Sequence, residues 1–335
     1  MKRIATLVVL VALLSVSLVF ASGEREYPSR DITNVLVWSA GGGTDTANRI
    51  VMAEMAKTLG VNINVVNVTG GVGGSVGMLE AYNRPHDGYT IAGLSESIVT
   101  AGVQGGWDKR VDVWDYYIIG GSPLVLSVPA NSQHRSIEDL VGAARSRPGQ
   151  IRASASAAGS IHHLNLLAFE KGTGTSLNYI PYDGSAPAQN AAITGEVEMV
   201  ITSIAEQAQL IRAGQLRPLG VLVPQAFTLG NQTIPSAFDS VPGLTAHLPI
   251  EQAIGFAMAR EVPEAQRLRI REAFHAAMQT EPVKNFGRDN FYVLSGASGD
   301  EAAAIFNALE SNFAWTLWEL GAARVNPQTL GIPRP

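Results

Sequence analysis

The sequence predicts an α/β protein whose mostly parallel sheets are divided between two lobes. Three observations predict it. Short β-branched runs alternate with helix-period segments through most of the chain, the βαβ signature of a parallel sheet. At 335 residues the chain has the length of two ordinary domains. Its composition, 46% hydrophobic and 16% charged, supplies a packed core and excludes wholesale disorder.

The first segment stands apart from that pattern. Lys2 and Arg3 precede an apolar run from Ile4 to Phe20, and the small residues Ala21-Ser22-Gly23 follow before charged Glu24. This three-part layout predicts a signal peptide over residues 1–23 and an exported mature protein. No later run is apolar for long enough to span a bilayer. Without the peptide, 22 basic residues face 29 acidic ones, a net charge of −7. Such a balance offers no basic face to a phosphate backbone, so nucleic acid is not an expected partner. The absence of Cys excludes disulfides, thiolate metal sites, a Cys nucleophile and a lipid anchor on an N-terminal Cys.

Residues 31–38 read as a strand that stops at Gly41-Gly42-Gly43. Ala47, Val51, Met55 and Leu59 then recur on one helical face, and Gly60 ends the helix. Residues 61–65 alternate as a half-buried strand. The second glycine cluster, 70–74, leads from Ser75 into a helix over 76–82, and 89–94 is a third strand. Strands follow at 124–128, 151–155, 177–180, 197–201 and 219–223, with helices at 161–170 and 186–193. Ser136-Ile-Glu-Asp139 predicts a capping box for a helix that stops before Pro148-Gly149. Pro263 suits a first helical turn, and Ser298 is expected to cap a last helix closed by Gly321.

Two glycine-rich loops each follow a strand and precede a helix. A helix N-terminus offers unpaired N–H groups and partial positive charge, and glycine lets the backbone approach an anion closely. Ligands of open α/β sheets bind beyond the carboxyl ends of the strands. The two loops, with a third Gly/Ser loop at 156–160, predict one carboxylate or phosphate site. No P-loop is present, and Val76 stands where the dinucleotide fingerprint needs its last glycine, so no nucleotide cofactor is expected. His162 and His163 are adjacent, and adjacent helical side chains diverge, so no metal is expected either. Asp45 and Arg49 are spaced as a helix-start ion pair. Gly73-Gly74-Ser75-Val76-Gly77 matches the loose Gly-x-Ser-x-Gly elbow, which leaves a secreted serine hydrolase using Ser75 as an alternative.

These residues carry a resemblance to the periplasmic solute-binding proteins of tripartite tricarboxylate transporters, the Bug family. The matching pieces keep one order along the chain. They are Gly41-Gly42-Gly43-Thr44-Asp45 with Arg49, the 70–74 loop, Asp87-Gly88-Tyr89-Thr90 and Pro123-Leu124-Val125-Leu126. Ser154 to Ser160 with His162-His163-Leu164, Pro181-Tyr182-Asp183-Gly184 and Ala213-Gly214-Gln215-Leu216-Arg217 follow. The resemblance implies a two-lobed, type II Venus-flytrap binding protein and no enzyme. Lobe 1 is expected to take 28–125 and 248–335, and lobe 2 126–247. A small di- or tricarboxylate is expected between them, for delivery by a monomeric periplasmic protein to permease subunits in the membrane. A sensory role docking on a receptor is the other outcome the resemblance allows.

The ligand-binding residues expected in lobe 1 are Trp38, Ala40, Gly41, Gly42, Gly43, Thr44, Asp45, Gly71, Gly73, Gly74, Ser75 and Ser95. Those expected in lobe 2 are Ser156, Ala157, Gly159, Ser160, His162, Tyr182, Asp183, Gly184 and Ser203. One carboxylate is expected on backbone N–H groups of the two glycine loops rather than on an Arg clamp. Trp38-Ser39-Ala40 stands where the family has Phe-Pro-Pro, Thr202 where it commonly has Asp, and Asp183 where a basic residue is frequent. An acidic Asp183 at the mouth would repel a second carboxylate unless it pointed away.

Overall fold

The computed structural model describes residues 26–246, 248 and 252–335. The signal peptide expected over 1–23 therefore lies outside the described residues. Strands β1 (Ile32–Leu36), β2 (Ile63–Asn67), β3 (Thr90–Ser95) and β4 (Trp114–Gly121) begin a first sheet. The chain then leaves it. Strands β5 (Leu124–Pro129), β6 (Arg152–Ala155), β7 (Asn178–Pro181), β8 (Met199–Ser203) and β9 (Leu216–Val221) make a second sheet. A small hairpin, β10 (Phe227–Leu229) and β11 (Gln232–Ile234), follows. The chain returns to the first sheet with β12 (Ile254–Ala259) and β13 (Val293–Leu294).

The strand orders are β13-β4-β12-β3-β1-β2 and β7-β6-β8-β5-β9. Each sheet has a parallel βαβ core, β2-β1-β3 in one and β7-β6-β8 in the other. Antiparallel pairings add β12, β4 and β13 to the first sheet and β5 and β9 to the second. The protein is thus α/β and two-lobed. β5 pairs with β8 from Leu124 onward, two residues before the lobe division expected after 125. The crossing itself is made by Gly121-Ser122-Pro123. A Cβ on Gly121 would lie 1.9 Å from the carbonyl oxygen of Gln252. The outgoing and returning chains therefore touch there, and only glycine permits it.

Local chemistry accounts for the helices that frame the site. Helix α1 (Gly43–Leu59) buries Ala47, Val51, Met55 and Leu59, and Gly60 closes it with φ +71°. Helices α2 (Ser75–Tyr82), α3 (Ile137–Ser146), α4 (Ile161–Thr173), α5 (Ser185–Ile193) and α6 (Ile204–Arg212) follow in order. Ser136 caps α3 by accepting from Asp139 N, but the Asp139 carboxylate accepts from Arg135 N rather than closing the box on Ser136. Short α7 (Ala237–Ser240) precedes α8 (Glu264–Met278), α9 (Glu281–Asp289) and α10 (Gly299–Glu319). Ser298 sits at the cap position of α10, yet its side chain makes no cap bond and instead meets His275 Nε2 at 2.9 Å.

The first sheet is locked by aromatics. Tyr117 of β4 stacks on Phe256 of β12 with centroids 4.6 Å apart, and Phe274 of α8 stands edge-on to both. All three are fully buried. Phe256→Ala is expected to lower stability by about 3–5 kcal/mol through lost packing and a residual cavity. A chemical-denaturation midpoint shift with an unchanged slope checks this.

Candidate functional site

Both sheets turn the carboxyl ends of parallel strands toward one gap. Residues from each wall a cavity of about 20 Å³ there. From the first lobe come Trp38, Gly42, Gly43, Thr44, Ser95, Glu96, Ser97 and Gln252. From the second come Ser156, Ile161, His162, Gly184, Ser185 and Glu206. Direct hydrogen bonds cross the gap around it. Ile161 N donates to Ser97 Oγ at 2.9 Å, Gly73 N to Ala158 O at 3.0 Å, and Thr100 Oγ1 to Gly159 O at 2.5 Å. Gly184 also lies so close to Ser39 that a Cβ would fall 2.1 Å from its hydroxyl.

The first glycine loop lies where expected, but its amides are already taken. Gly41 N donates to Asp45 Oδ2 at 3.0 Å, Gly42 N to Ser39 O at 3.3 Å, and Gly43 N to Glu206 Oε1 at 2.9 Å. The last of these crosses the gap and seats a carboxylate of the protein itself on the amino end of α1. The backbone N–H groups of this loop, expected with those of the second loop to hold a guest carboxylate, thus have partners within the chain itself. Gly43 is glycine because a Cβ would lie 2.7 Å from Tyr292 Oη and 2.8 Å from Glu206 Oε1. Thr44 and Asp45 follow in the first turn, where N–H groups have no intrahelical acceptor, and Thr44 faces the cavity.

Asp45 itself turns away from the cavity. Its carboxylate binds Arg49 Nε at 3.0 Å and Asn67 Nδ2 at 2.9 Å, an internal brace for the loop. Burial opposes its ionisation, but Arg49, the Gly41 amide and Asn67 together hold it below the usual carboxylate range. Ala40 and Gly41 are exposed on the rim. Trp38 is buried on the wall, its Nε1 donating to Ser95 Oγ at 3.1 Å.

The second glycine loop serves as a joint. Gly71, Gly73, Gly74 and Ser75 lie off the cavity wall, and Gly73 meets the other lobe through its amide. Gly71, Gly73 and Gly74 all have positive φ. Ser75 Oγ is packed so tightly that a Cβ on Gly71 would lie 2.3 Å from it and one on Gly106 2.6 Å. Among the described residues no histidine hydrogen-bonds Ser75, so the elbow lacks a base.

In the second lobe, Ser156 Oγ lies 2.5 Å from His162 Nδ1 and donates to Ser160 Oγ at 3.0 Å. Ser160 caps α4 by accepting from His163 N. Ala157, Gly159, Ser160, Tyr182 and Ser203 do not line the cavity, and Asp183 is exposed and off it. Burial pushes His163 down to about 4 as its ring stacks on Tyr179.

Sequence reasoning missed Glu96, Ser97, Ser185, Gln252 and Glu206. One signal was present for Glu206: Ser203-Ile-Ala-Glu206 has capping-box spacing, and both reciprocal bonds form. Glu206 Oε2 accepts from Ser203 N and Oγ, each at 2.9 Å, and lies 3.4 Å from His162 Nε2. Burial opposes its ionisation, but His162, the Ser203 amide and the Ser185 hydroxyl outweigh burial and draw it down to about 2. Glu96, equally buried, accepts from Ala253 N at 2.6 Å and Ser97 Oγ at 2.7 Å. There burial wins, and its carboxyl is raised above the usual range.

This architecture, two α/β lobes closing on a polar gap, defines a solute-binding receptor. The sequence profile of the tripartite tricarboxylate transporter family receptor matches residues 47–293, and the chain belongs to that family. It is a receptor family, not an enzyme family, which removes the hydrolase alternative. A UPF0065 protein from the tcbD-tcbE intergenic region of Pseudomonas sp. strain P51 is 34% identical over 201 residues, 58% of this chain and 59% of that one. The match thus spans about three fifths of that relative. MatC of Rhodopseudomonas palustris, solved with bound malate, superposes with a TM-score of 0.79 at 20% identity, covering 87% of this chain and 100% of that one. Another R. palustris protein, solved with adipate, gives 0.79 at 24% identity, covering 89% and 99%.

The two buried glutamates have opposite pH signatures. Glu96 has a raised folded-state pKa, so its contribution is full at low pH and is lost as pH rises through that value. The Tm of Glu96→Gln relative to wild type is expected to climb between pH 4 and 8. Glu206, held low, contributes above the ordinary carboxylate range and loses that contribution as pH falls toward 2. Glu206→Gln is therefore expected to lose most stability near neutrality, with the gap narrowing in acid. Thermal melts from pH 2 to 8 check both.

Proposed function

We propose that this protein captures a small carboxylate between its lobes and delivers it to a tripartite tricarboxylate-type transporter in the membrane. It works as an exported, periplasmic monomer, and no bond is made or broken. The observation that carries the reading is the cavity wall. It presents hydroxyls beside the first turn of α1: among the described residues those of Thr44 and Ser95 donate to no protein acceptor, while Ser97 donates to Glu96 and Ser156 to Ser160. Hydroxyls and orphan amides are the donors that hold a carboxylate where no Arg is at hand. The malate and adipate bound by relatives of the same fold support the same class of guest.

A cavity of about 20 Å³ has room for about one water. Binding therefore begins from a more open arrangement, with the lobes swinging about the double crossing where Gly121 meets Gln252. Ligand then shifts the balance toward closure.

Calorimetric titration of the mature protein with mono-, di- and tricarboxylates tests this. Saturable one-to-one binding of at least one member is the expected result. No saturable binding across the panel overturns the reading. Thr44→Val, which removes a hydroxyl facing the cavity, is expected to weaken that binding about 10- to 100-fold. This corresponds to the ~1.5–3 kcal/mol of a hydrogen bond to a charged group.

A further inference from the structure

A second and larger cavity lies at the double crossing, and the capture of a solute in the gap makes no use of it. Its volume is about 370 Å³. From the first lobe Leu294, Ile305 and Leu309 line it, and from the second Leu124, Leu222 and Val223. The strand orders place it on the flank away from the gap. Residues at the ends of β1 and β3 in one sheet and of β6, β7 and β8 in the other wall the gap. The hinge cavity takes its walls from β4 and β13 in the first sheet, and from β5 and the residues after β9 in the second. These strands lie on the other side of the boundary that β12 marks in one sheet and β5 in the other. Among the described residues only Gln252 lines both cavities.

None of the described lining residues is charged, and the wall is mostly aliphatic. Val293 and Ile305, 75% and 36% exposed, line it where it meets solvent. Two polar side chains interrupt the apolar wall, and each has a donor to spare. Ser122, 4% exposed, accepts from Ala205 N at 3.1 Å, and its hydroxyl proton goes to no acceptor among the described residues. Gln252 Oε1 accepts from Ser122 N at 3.2 Å, which leaves Nε2 as a donor with no partner among them. A volume of about 370 Å³ falls in the range of small-molecule sites. At the ~30 Å³ that a water takes up in the liquid, it holds roughly a dozen non-hydrogen atoms, a small molecule rather than a chain segment. We propose that the hinge cavity is a second ligand site, for an uncharged aliphatic molecule that ends in a carbonyl or hydroxyl oxygen. The oxygen accepts from Ser122 and Gln252, and the aliphatic part lies among Leu222, Leu294 and Leu309. A charged head would be desolvated there with no counter-ion in the wall.

The same residues tie this cavity to the gap. Ser122 Oγ holds the amide of Ala205, the residue before Glu206, and Ala253 N donates to Glu96 at 2.6 Å. Both acids of the gap are thus one bond or one residue from the hinge wall. With the lobes pivoting at the crossing, separation on the gap side brings them together on the opposite flank and narrows the hinge cavity. A guest lodged in the hinge therefore favours the closed gap. By linkage, a solute in the gap tightens the hinge guest by the same factor. The coupling rests on the pivot at the crossing; the site itself does not.

Calorimetric titration of the solute-free mature protein with hexanamide and 1-hexanol tests the site. Saturable one-to-one binding is expected, with hexylammonium at least about tenfold weaker because its charge finds no partner in the wall. Ile305→Trp and, separately, Val293→Trp each set a large side chain at the exposed mouth, and each is expected to weaken hexanamide at least about tenfold. No saturable binding of either neutral molecule overturns the site, and so does binding that neither variant weakens. Val293 is the more exposed position, so its variant stays informative if the other fails to fold. Amide hydrogen exchange tests the coupling. Gly43, Gly73 and Ile161 donate their N–H groups across the gap, so exchange at these amides reports opening. Saturating hexanamide is expected to slow it about fivefold or more in wild type and not in Ile305→Trp. Unchanged or faster exchange with hexanamide bound overturns the coupling. No carboxylate enters these measurements, so their failure leaves the carboxylate-receptor reading standing.

Discussion

The geometry of the gap depends on one contact, the Glu206 carboxylate resting on the Gly43 amide at the amino end of α1. It joins the lobes by a charge-assisted hydrogen bond in a space nearly sealed from water, where such bonds are stronger than at a surface. Three other features follow from it. Gly43 must lack a side chain, because a Cβ would collide with Glu206 and Tyr292. Ser203 must supply both N–H and hydroxyl to the far carboxylate oxygen. His162 must sit beside that oxygen, where it helps keep the acid ionised despite burial. An unpaired carboxylate at that depth would cost several kcal/mol, so the group is held together by mutual need.

Much of this was legible in the sequence. The strand-to-glycine-to-helix order at residues 36–43 locates the amino end of α1, and that end does face the gap. Gly60, placed just past a periodic apolar face, ends the helix as expected. Local signals of this kind survive folding because they act through backbone geometry within a few residues. The strands β4 and β12 were not legible. Both are buried along almost their whole length, so they carry no alternation, and β12 finds its partners β3 and β4 through contacts more than a hundred residues apart.

At the first glycine loop the pattern marks amides suited to an anion. An anion supplied by the chain itself, 163 residues away, is not visible in that local pattern. A capping box at Ser203-Ile-Ala-Glu206 was present, but a capping glutamate ordinarily turns its carboxylate to its own helix. Glu206 does this with Oε2 and uses Oε1 for the other lobe. The Oε1 bond joins residues 163 apart, and no local pattern encodes that.

The second glycine loop shows how one motif can change its task within the same fold. Gly71, Gly73 and Gly74 have positive φ, and what crowds them is their own lobe, while Gly73 N reaches Ala158 O across the gap. Gly73 lies so near the segment Ser97 to Ala101 that a Cβ would come within 3.1 Å of three of its atoms. The second loop is therefore packed within its own lobe and touches the other through the Gly73 amide, while the first loop carries the charge-assisted bond from Gly43 to Glu206.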